Sequence, residues 1–431
     1  TADGREFASL YVEAGVITQD AIDFARSKGY IFATDPTSAW ACTIGGNVAE
    51  NAGGKQAVLF GTAIDNLLGY TIVMPDSRVY AVQRLNHPLR KIHPEDRVEF
   101  EITDLTNQES RMISLSGEDI RKKDLGKDVT NKALNGLYGI QKEGCDGIIT
   151  DARFVLYPEF KFKKTFCVEF FGTDMSQASQ VITRITHAFK GRDPSLSALE
   201  HFDYEYAKAI KYKAKTSKGS TIIAVLLIDM VSNDQDRMAA GASELRALLA
   251  DYDKTGFSEA RDKVQAERFW QDRKRLGAIA SHTNAFKLNE DIVLPIDALA
   301  DFARFVDQEN LGEQKINQVQ VIEDMLAELD EIQQANDRDL LNKRIGQVKN
   351  LAFEFKKKLN IASKDAIEAR IHAKNFLKES IHRLQGYTDV VAQLQRCYAM
   401  TESRRIVIAT HMHAGDGNVH VNIPVLSNDR Q

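Results

Sequence analysis

The spacing of apolar positions changes several times along the chain. Over the first ~160 residues short apolar runs alternate with glycine, a strand-and-loop texture. One helix is predicted there over Gln19–Lys28, closed by Gly29 at its C′ position. From Phe160 to about Tyr252, predicted strands (Thr165–Phe171, Thr221–Met230) alternate with amphipathic helices (Ser176–Phe189, Asp236–Leu249). That order predicts an α+β layer with helices on one face of a mainly antiparallel sheet. A helix over Phe257–Ala280 and the apolar run Ile292–Pro295 follow. From about Val306 to Met400 the period is helical throughout: Ile322, Met325, Leu329 and Ile332, then Ile345, Val348, Ala352, Phe355 and Leu359, then Ile367, Ile371, Lys374, Leu377, Ile381 and Leu384. Polar breaks near Asn336 and Ser363 predict a hairpin bundle, read first as a packing unit and second as a docking surface. Ile406–Thr410 and Val419–Ile423 then flank a glycine turn, which predicts a β-hairpin.

Length and charge narrow this picture. A chain of 431 residues is too long for one ordinary core. The texture divides it at 1–160, 161–305, 306–400 and 401–431, the last returning to the second unit. A net charge of −5 leaves no basic field for nucleic acid or anionic lipid. Cys42, Cys145, Cys167 and Cys397 form no Cys-x-x-Cys pair, so this segment has neither a zinc-ribbon nor an iron–sulfur pattern. Scattered cysteine suits a reducing, cytoplasmic setting. The longest apolar run, Thr221–Asp229, is strand-sized, well short of the roughly 20 residues that span a bilayer.

Two segments carry candidate chemistry. The predicted hairpin contains His411-Met-His413-Ala-Gly-Asp-Gly-Asn-Val-His420, three imidazoles that a tight turn can bring face to face on one metal ion. The plainer reading is a polar hairpin whose histidines bond nearby backbone. Nearer the start, Asp35-Pro-Thr-Ser38 precedes Thr43-Ile-Gly-Gly-Asn-Val-Ala-Glu-Asn-Ala-Gly-Gly54 and Phe60-Gly-Thr62. Glycines at these positions allow positive φ and a nest of backbone N–H groups suited to a pyrophosphate. The loop has neither the Gly-Lys-Ser/Thr of a Walker loop nor Gly-x-Gly-x-x-Gly.

With Gly69–Asp76 and Glu143-Gly-Cys-Asp-Gly-Ile-Ile-Thr150 downstream, the first segment resembles the FAD-binding domain of the vanillyl-alcohol-oxidase/p-cresol-methylhydroxylase (PCMH) superfamily, apart from an insertion between about Arg84 and Asn135. His413-Ala-Gly-Asp-Gly-Asn-Val-His420 resembles the signature of its FAD-linked D-2-hydroxyacid dehydrogenases, the branch of D-lactate dehydrogenase and the glycolate oxidase flavin subunit. Ala198–Asp203, Trp270–Arg273 and Glu290–Pro295 fit the same cap domain. The resemblance implies an α+β fold: a partial PCMH-type FAD-binding domain, then a ferredoxin-like cap interrupted by a large helical insertion. That insertion is similar to those of large fused FAD/iron–sulfur oxidoreductases.

The implied site follows residue by residue. Pro36, Thr37, Gly45, Gly46, Asn47, Asn51, Gly53 and Gly54 would line the pyrophosphate and ribityl part of FAD, with Gly144, Gly147 and Ile149 approaching the adenine side or the flavin. His413 and His420 match metal-binding histidines for a divalent ion, zinc above all, that acidifies the substrate hydroxyl. Arg273 matches a carboxylate clamp, Lys287 is a second candidate for that task, and Asn418 and Asn422 sit where they can bond substrate or orient ligands. His411 is a candidate extra ligand, whereas His282 reads as a satisfied loop histidine. The family's Arg-Gly-x-Gly loop before this segment, and its Glu-His-Gly-x-Gly motif with a third ligand and base after it, are expected on a longer polypeptide. The implied partners are a small 2-hydroxy acid and an electron acceptor, an iron–sulfur module of the same or a partner chain, with peripheral membrane association through a partner. The rival readings are another FAD-linked oxidation without metal, alcohol oxidation or alkylglycerone-phosphate-synthase-like chemistry, and a non-catalytic scaffold with a degenerate flavin fold.

Overall fold

The computed structural model describes residues 6–127, 131–172, 174, 176–216, 221–274, 286–362 and 372–425. The glycine-punctuated first segment forms strands β1 (Ala8–Glu13), β2 (Tyr30–Ile31), β3 (Leu67–Val73), β4 (Val79–Arg84), β5 (Arg97–Asp104), β6 (Ser110–Ser116) and β7 (Ile148–Pro158). They pair antiparallel in the order β1-β7-β3-β4-β5-β6, with β2 beside β7. Helix α1 (Thr18–Ser27) ends one residue before the Lys28 C-cap, and Gly29 follows at φ 78° as its left-handed C′ residue. The stretch between Arg84 and Asn135 is no loose insertion: Val98, Phe100 and Ile102 alternate inward on β5 and extend the same core.

The second unit contains β8 (Phe162–Phe171), α2 (Ser176–Phe189), β9 (Ser195–Asp203), β10 (Ile222–Ser232), α3 (Gln235–Leu249) and β11 (Thr255–Glu259). Their sheet order is β11-β8-β10-β9, all antiparallel. A βαββαβ chain paired in that order is the ferredoxin-like arrangement. Strand β10 is apolar on both faces because both are covered. Leu226 and Ile228 join Val168, Ile182 and Leu245 under the helices, while Val225 and Leu227 join Cys167, Phe202 and Phe269 on the other side. The sheet continues from β9 through β13 (Ala409–His413) and β14 (Asn418–Val425) to β12 (Phe286–Val293).

One predicted element needs correction. The helix expected over Phe257–Ala280 opens instead as strand β11, and helix α4 covers Lys263–Lys274, with residues 275–280 outside the described ones. Phe257 packs on Phe166 with ring centroids 5.6 Å apart, and Asp262 caps the turn by accepting from Gln265 N at 2.7 Å. Edge pairing with β8 overrides the helical reading there. The helical segment comprises α5 (Leu299–Gln334), α6 (Asp339–Ala362), α7 (His372–Arg383) and α8 (Thr388–Glu402). Its core gathers the predicted apolar series, including Ile322, Met325, Ile345, Val348 and Leu384. The break at Asn336 lies between α5 and α6, while that at Ser363, with Ile367 and Ile371, falls outside the described residues. Helix α5 begins in the cap core at Leu299, and Asn310 pairs both amide atoms with the backbone of Ile408 at 2.8 Å.

Two buried histidines give the fold an acid-sensitive side. Burial, with Arg84 nearby, pushes His87 down to about 3, and burial pushes His201 down to about 4. Both values lie below the ordinary ~6.5, so the unfolded chain binds more protons and stability falls as pH drops below about 6.5. Asp203, pushed up to about 6 by burial, offsets part of this. Thermal melts are expected to show a clear loss between pH 7 and 5; an unchanged melting temperature would contradict it.

Candidate active site between the glycine loop and the histidine hairpin

Strand register assembles the hairpin site. On β13 and β14, His411 lies opposite His420 and His413 opposite Asn418. The turn needs Gly417 at φ 75°, where a Cβ would lie 2.1 Å from Leu294 O. Each outer histidine also faces a carboxylate on the strand beyond: His413 pairs with Glu200 of β9, and His420 with Asp291 of β12. Directly opposed residues share a face of the sheet. Glu200 Oε1 lies 2.7 Å from His413 Nδ1, and Asp291 Oδ1 lies 3.6 Å from His420 Nδ1. The His413 and His420 rings meet edge to face with centroids 5.2 Å apart. His411 stacks on His420 at 4.5 Å and meets Tyr206 edge-on at 4.8 Å.

Arg273, on the last turn of α4, is buried and not on a solvated face. Its Nε donates to Glu200 Oε2 at 2.6 Å, Nη1 donates to Thr37 Oγ1 at 2.7 Å, and Nη2 lies 3.2 Å from His413 Nδ1. Burial alone would raise the Glu200 carboxyl, but the Arg273 charge and the hydrogen bonds from His413 and Arg273 bring it down to about 2. Burial pushes His420 down to about 4.

Thr37 belongs to the glycine-rich region, so this buried cluster joins the two domains. The loop is tightly built. Gly45 N donates to Ala14 O and Ala14 N to Thr150 O, both at 2.9 Å, so the two segments assigned to the flavin flank one residue. Gly54 has no room for a side chain, since a Cβ would sit 2.0 Å from Asp35 O. Gly46 and Gly144 face more open surroundings: a Cβ on Gly46 would meet only Thr43 Oγ1, at 3.5 Å, and one on Gly144 nothing within 4 Å. Trp40 is 77% exposed and Ile148 73% exposed. Open backbone at Gly46 and Gly144, with bare apolar side chains on both segments, fits a large flat cofactor. Pro36 and Ile149 are half-buried on the same segments, and Gly53 and Gly147 pack against Thr62 and Val73.

Some expected ligands are occupied by the fold. Asn47 donates to Thr18 Oγ1 at 2.8 Å and accepts from Cys42 Sγ. Asn51, at φ 50°, accepts from Ile64 N at 2.9 Å and donates to Gln141 Oε1 at 3.0 Å. Their side chains shape the loop. Asn418 is wholly buried, accepting from Lys127 Nζ at 2.9 Å and donating to Asp291 and to Ile292 O. Asn422 donates to Tyr206 Oη. The Lys287 side chain and all of His282 lie outside the described residues.

Sequence reasoning passed over several residues that line this junction. Lys127 Nζ lies 3.7 Å from Asp291, and a Cβ on neighbouring Gly126 would lie 2.3 Å from Asp416 O. Lys91 Nζ donates to Ala57 O at 2.9 Å and Gly126 O at 2.6 Å, and burial pushes it down to about 8. Lys55 Nζ stands 4.8 Å above the Trp270 ring, and burial lowers its pKa against the pull of Asp229 and Asp35. Among the described residues, no group of three or more His, Cys, Asp or Glu is placed to hold a metal ion. No helix there is long and apolar enough to cross a membrane.

Known proteins resemble parts of this chain. The FAD binding domain family matches residues 6–83, and the family described as FAD linked oxidases, C-terminal domain, matches residues 167–321. Glycolate oxidase subunit GlcD of Bacillus subtilis is 24% identical over 303 residues, 70% of this chain and 54% of its own. The mitochondrial D-lactate dehydrogenase [cytochrome] of Kluyveromyces lactis is 21% identical over 73% of this chain and 46% of its own. D-lactate dehydrogenase of Anaerostipes hadrus is 37% identical over 75 residues, 17% of this chain and 16% of its own. The chain thus spans about half the length of the two relatives matched along most of it. A solved alkyldihydroxyacetonephosphate synthase aligns with TM-score 0.47 and 13% identity, over 70% of this chain and 49% of that one.

Proposed function

We propose that this chain, which belongs to the FAD-linked oxidases through its two matched domains, carries the flavin loop and substrate half-site of an enzyme oxidising a D-2-hydroxy acid to the 2-oxo acid. The observation that carries this reading is the Arg273 cluster, which ties Thr37 of the glycine-rich region to His413 of the hairpin. FAD, when bound, supplies the acceptor for the hydride from C2. The chain's own residues bind and orient. Beyond its bonds to Glu200 and Thr37, Arg273 keeps N–H groups on both terminal nitrogens, enough to meet a carboxylate that enters beside His413. His413 and His420 fit two ligands of a divalent ion of the zinc class. Each has a carboxylate beside Nδ1, the outer support that metal-bound imidazoles have. Such an ion would polarise the substrate hydroxyl. Arg273, Lys287 and Asn418 are thereby assigned different work: Arg273 meets the carboxylate, Lys287 stays a second candidate for it, and Asn418 braces Asp291.

The electron acceptor in this reading is an iron–sulfur module of the same or a partner chain, in a cytoplasmic or peripherally membrane-attached assembly. Anaerobic D-lactate, glycolate or D-2-hydroxyglutarate is expected to bleach the flavin spectrum of the full-length protein, with zinc retained after dialysis. A flavin left oxidised by all three acids sinks the reading; flavin reduction without bound metal sinks only its metal part.

A further inference from the structure

We propose that Glu200 is the positioning residue that sets the tautomer of His413, holding the ring proton on Nδ1 so that Nε2 carries the lone pair. The inference rests on the reading of His413 as a substrate-site histidine, and it goes beyond the support named there by assigning Glu200 control of the ring tautomer.

The geometry leaves little choice. Glu200 uses both oxygens, Oε2 for Arg273 Nε at 2.6 Å and Oε1 for His413 Nδ1 at 2.7 Å. Its side chain is 2% exposed, that of Arg273 8% and that of His413 11%, so water does not compete for these contacts. A carboxylate beside a guanidinium offers acceptors only, and the short contact to His413 therefore needs a proton on Nδ1. The 3.2 Å approach of Arg273 Nη2 to the same nitrogen is then a close packing contact, because that nitrogen's lone pair is gone. A neutral imidazole with its proton on Nδ1 presents Nε2 as base or ligand. Position, not proximity alone, makes Glu200 fit this role. It sits directly across from His413 in the β9–β13 register, so main-chain pairing fixes the distance before any side chain adjusts.

The same geometry predicts what Glu200→Gln does. The amide keeps one acceptor oxygen where the carboxylate used two. Arg273 can only donate, so the oxygen stays with Arg273 and the NH₂ turns to His413. Nδ1 must then accept, and the proton moves to Nε2, which removes the lone pair from the substrate side. The exchange is isosteric, and a residue that merely filled space would leave the tautomer alone.

The test is a long-range ¹H–¹⁵N correlation spectrum of the metal-stripped, ¹⁵N-histidine-labelled full-length protein, with His413 identified by its loss in His413→Asn. The expected wild-type pattern is protonated Nδ1 and bare Nε2, and in Glu200→Gln the two exchange. Should that variant not fold, the wild-type spectrum alone decides. A proton on Nε2 in the wild type, as neutral tautomer or imidazolium, overturns the proposal, and so does an unchanged pattern in a folded Glu200→Gln. Neither hydroxy acid nor zinc is present in this measurement, so its failure is distinct from failure of the functional reading.

Discussion

Replacing His413 by alanine in the FAD-loaded, full-length protein is expected to lower kcat/KM for the hydroxy acid by about 10³-fold or more, roughly 4 kcal/mol of transition-state stabilisation. The loss should fall mainly on kcat. A ligand that polarises the reacting hydroxyl acts most strongly as charge develops there, and uniform binding would appear in KM alone. Flavin content should stay near that of the wild type, because the His413 side chain connects to Thr37 of the glycine-rich region through Arg273. His420→Ala is expected to act in the same direction. Asp291→Asn should act more weakly, its contact with His420 being 3.6 Å where that of Glu200 with His413 is 2.7 Å. Stopped-flow reduction of the flavin measures all three. A His413→Ala rate within tenfold of wild type would remove the hairpin from the chemistry and leave the glycine-rich domain as the working part.

What the chain discloses before folding depends on how far apart the interacting residues lie. The hairpin was legible because Gly417 and its flanking apolar runs are local, and the helix-covered antiparallel sheet because its buried strands and amphipathic helices alternate in order. Glu200 and Asp291 lie in the segments Ala198–Asp203 and Glu290–Pro295, yet sequence alone gives neither a role. Spacing within a strand says which face a residue takes, whereas register across β9–β13 and β12–β14 decides what it meets. Arg273 read equally well as a solvated helix residue among Arg268, Lys274 and Arg275; it is buried by partners 73 and 140 positions away, Glu200 and His413, and bonded to Thr37 236 positions away. The stretch between Arg84 and Asn135 lay outside the recognised pattern, so Lys91, Gly126 and Lys127 were overlooked. They reach the junction through a fold-level contact that no local pattern announces.

That contact rests on a buried ion pair, and breaking it is expected to be the most destabilising single change in the first domain. Asp65, fully buried, accepts from Thr62 N at 2.7 Å and Ile92 N at 2.8 Å, and its two oxygens take Arg121 Nη1 at 3.1 Å and Nη2 at 2.7 Å. Arg121 also donates to Ile92 O at 2.6 Å, so one carboxylate pins the inserted strands to the turn after the glycine-rich loop. Asp65→Asn leaves a buried guanidinium without its counter-charge, at a cost of about 3–5 kcal/mol. Arg121→Met should cost less, because two backbone N–H groups still support the carboxylate. The double variant should be milder than the sum of the two, since it leaves no lone charge behind. Denaturant titration of the four proteins measures the coupling, and additivity within about 0.5 kcal/mol would mean the pair does not act as a unit. Burial works to raise the Asp65 carboxyl, but the Arg121 charge and hydrogen bonds win and hold it below its ordinary value. A depressed folded-state value places this stabilisation above the unfolded carboxylate value of about 4 and removes it as pH falls through the folded one. Wild type and Asp65→Asn should therefore differ fully at neutral pH and converge only below about pH 4, well under the window in which the buried histidines begin to weaken the fold.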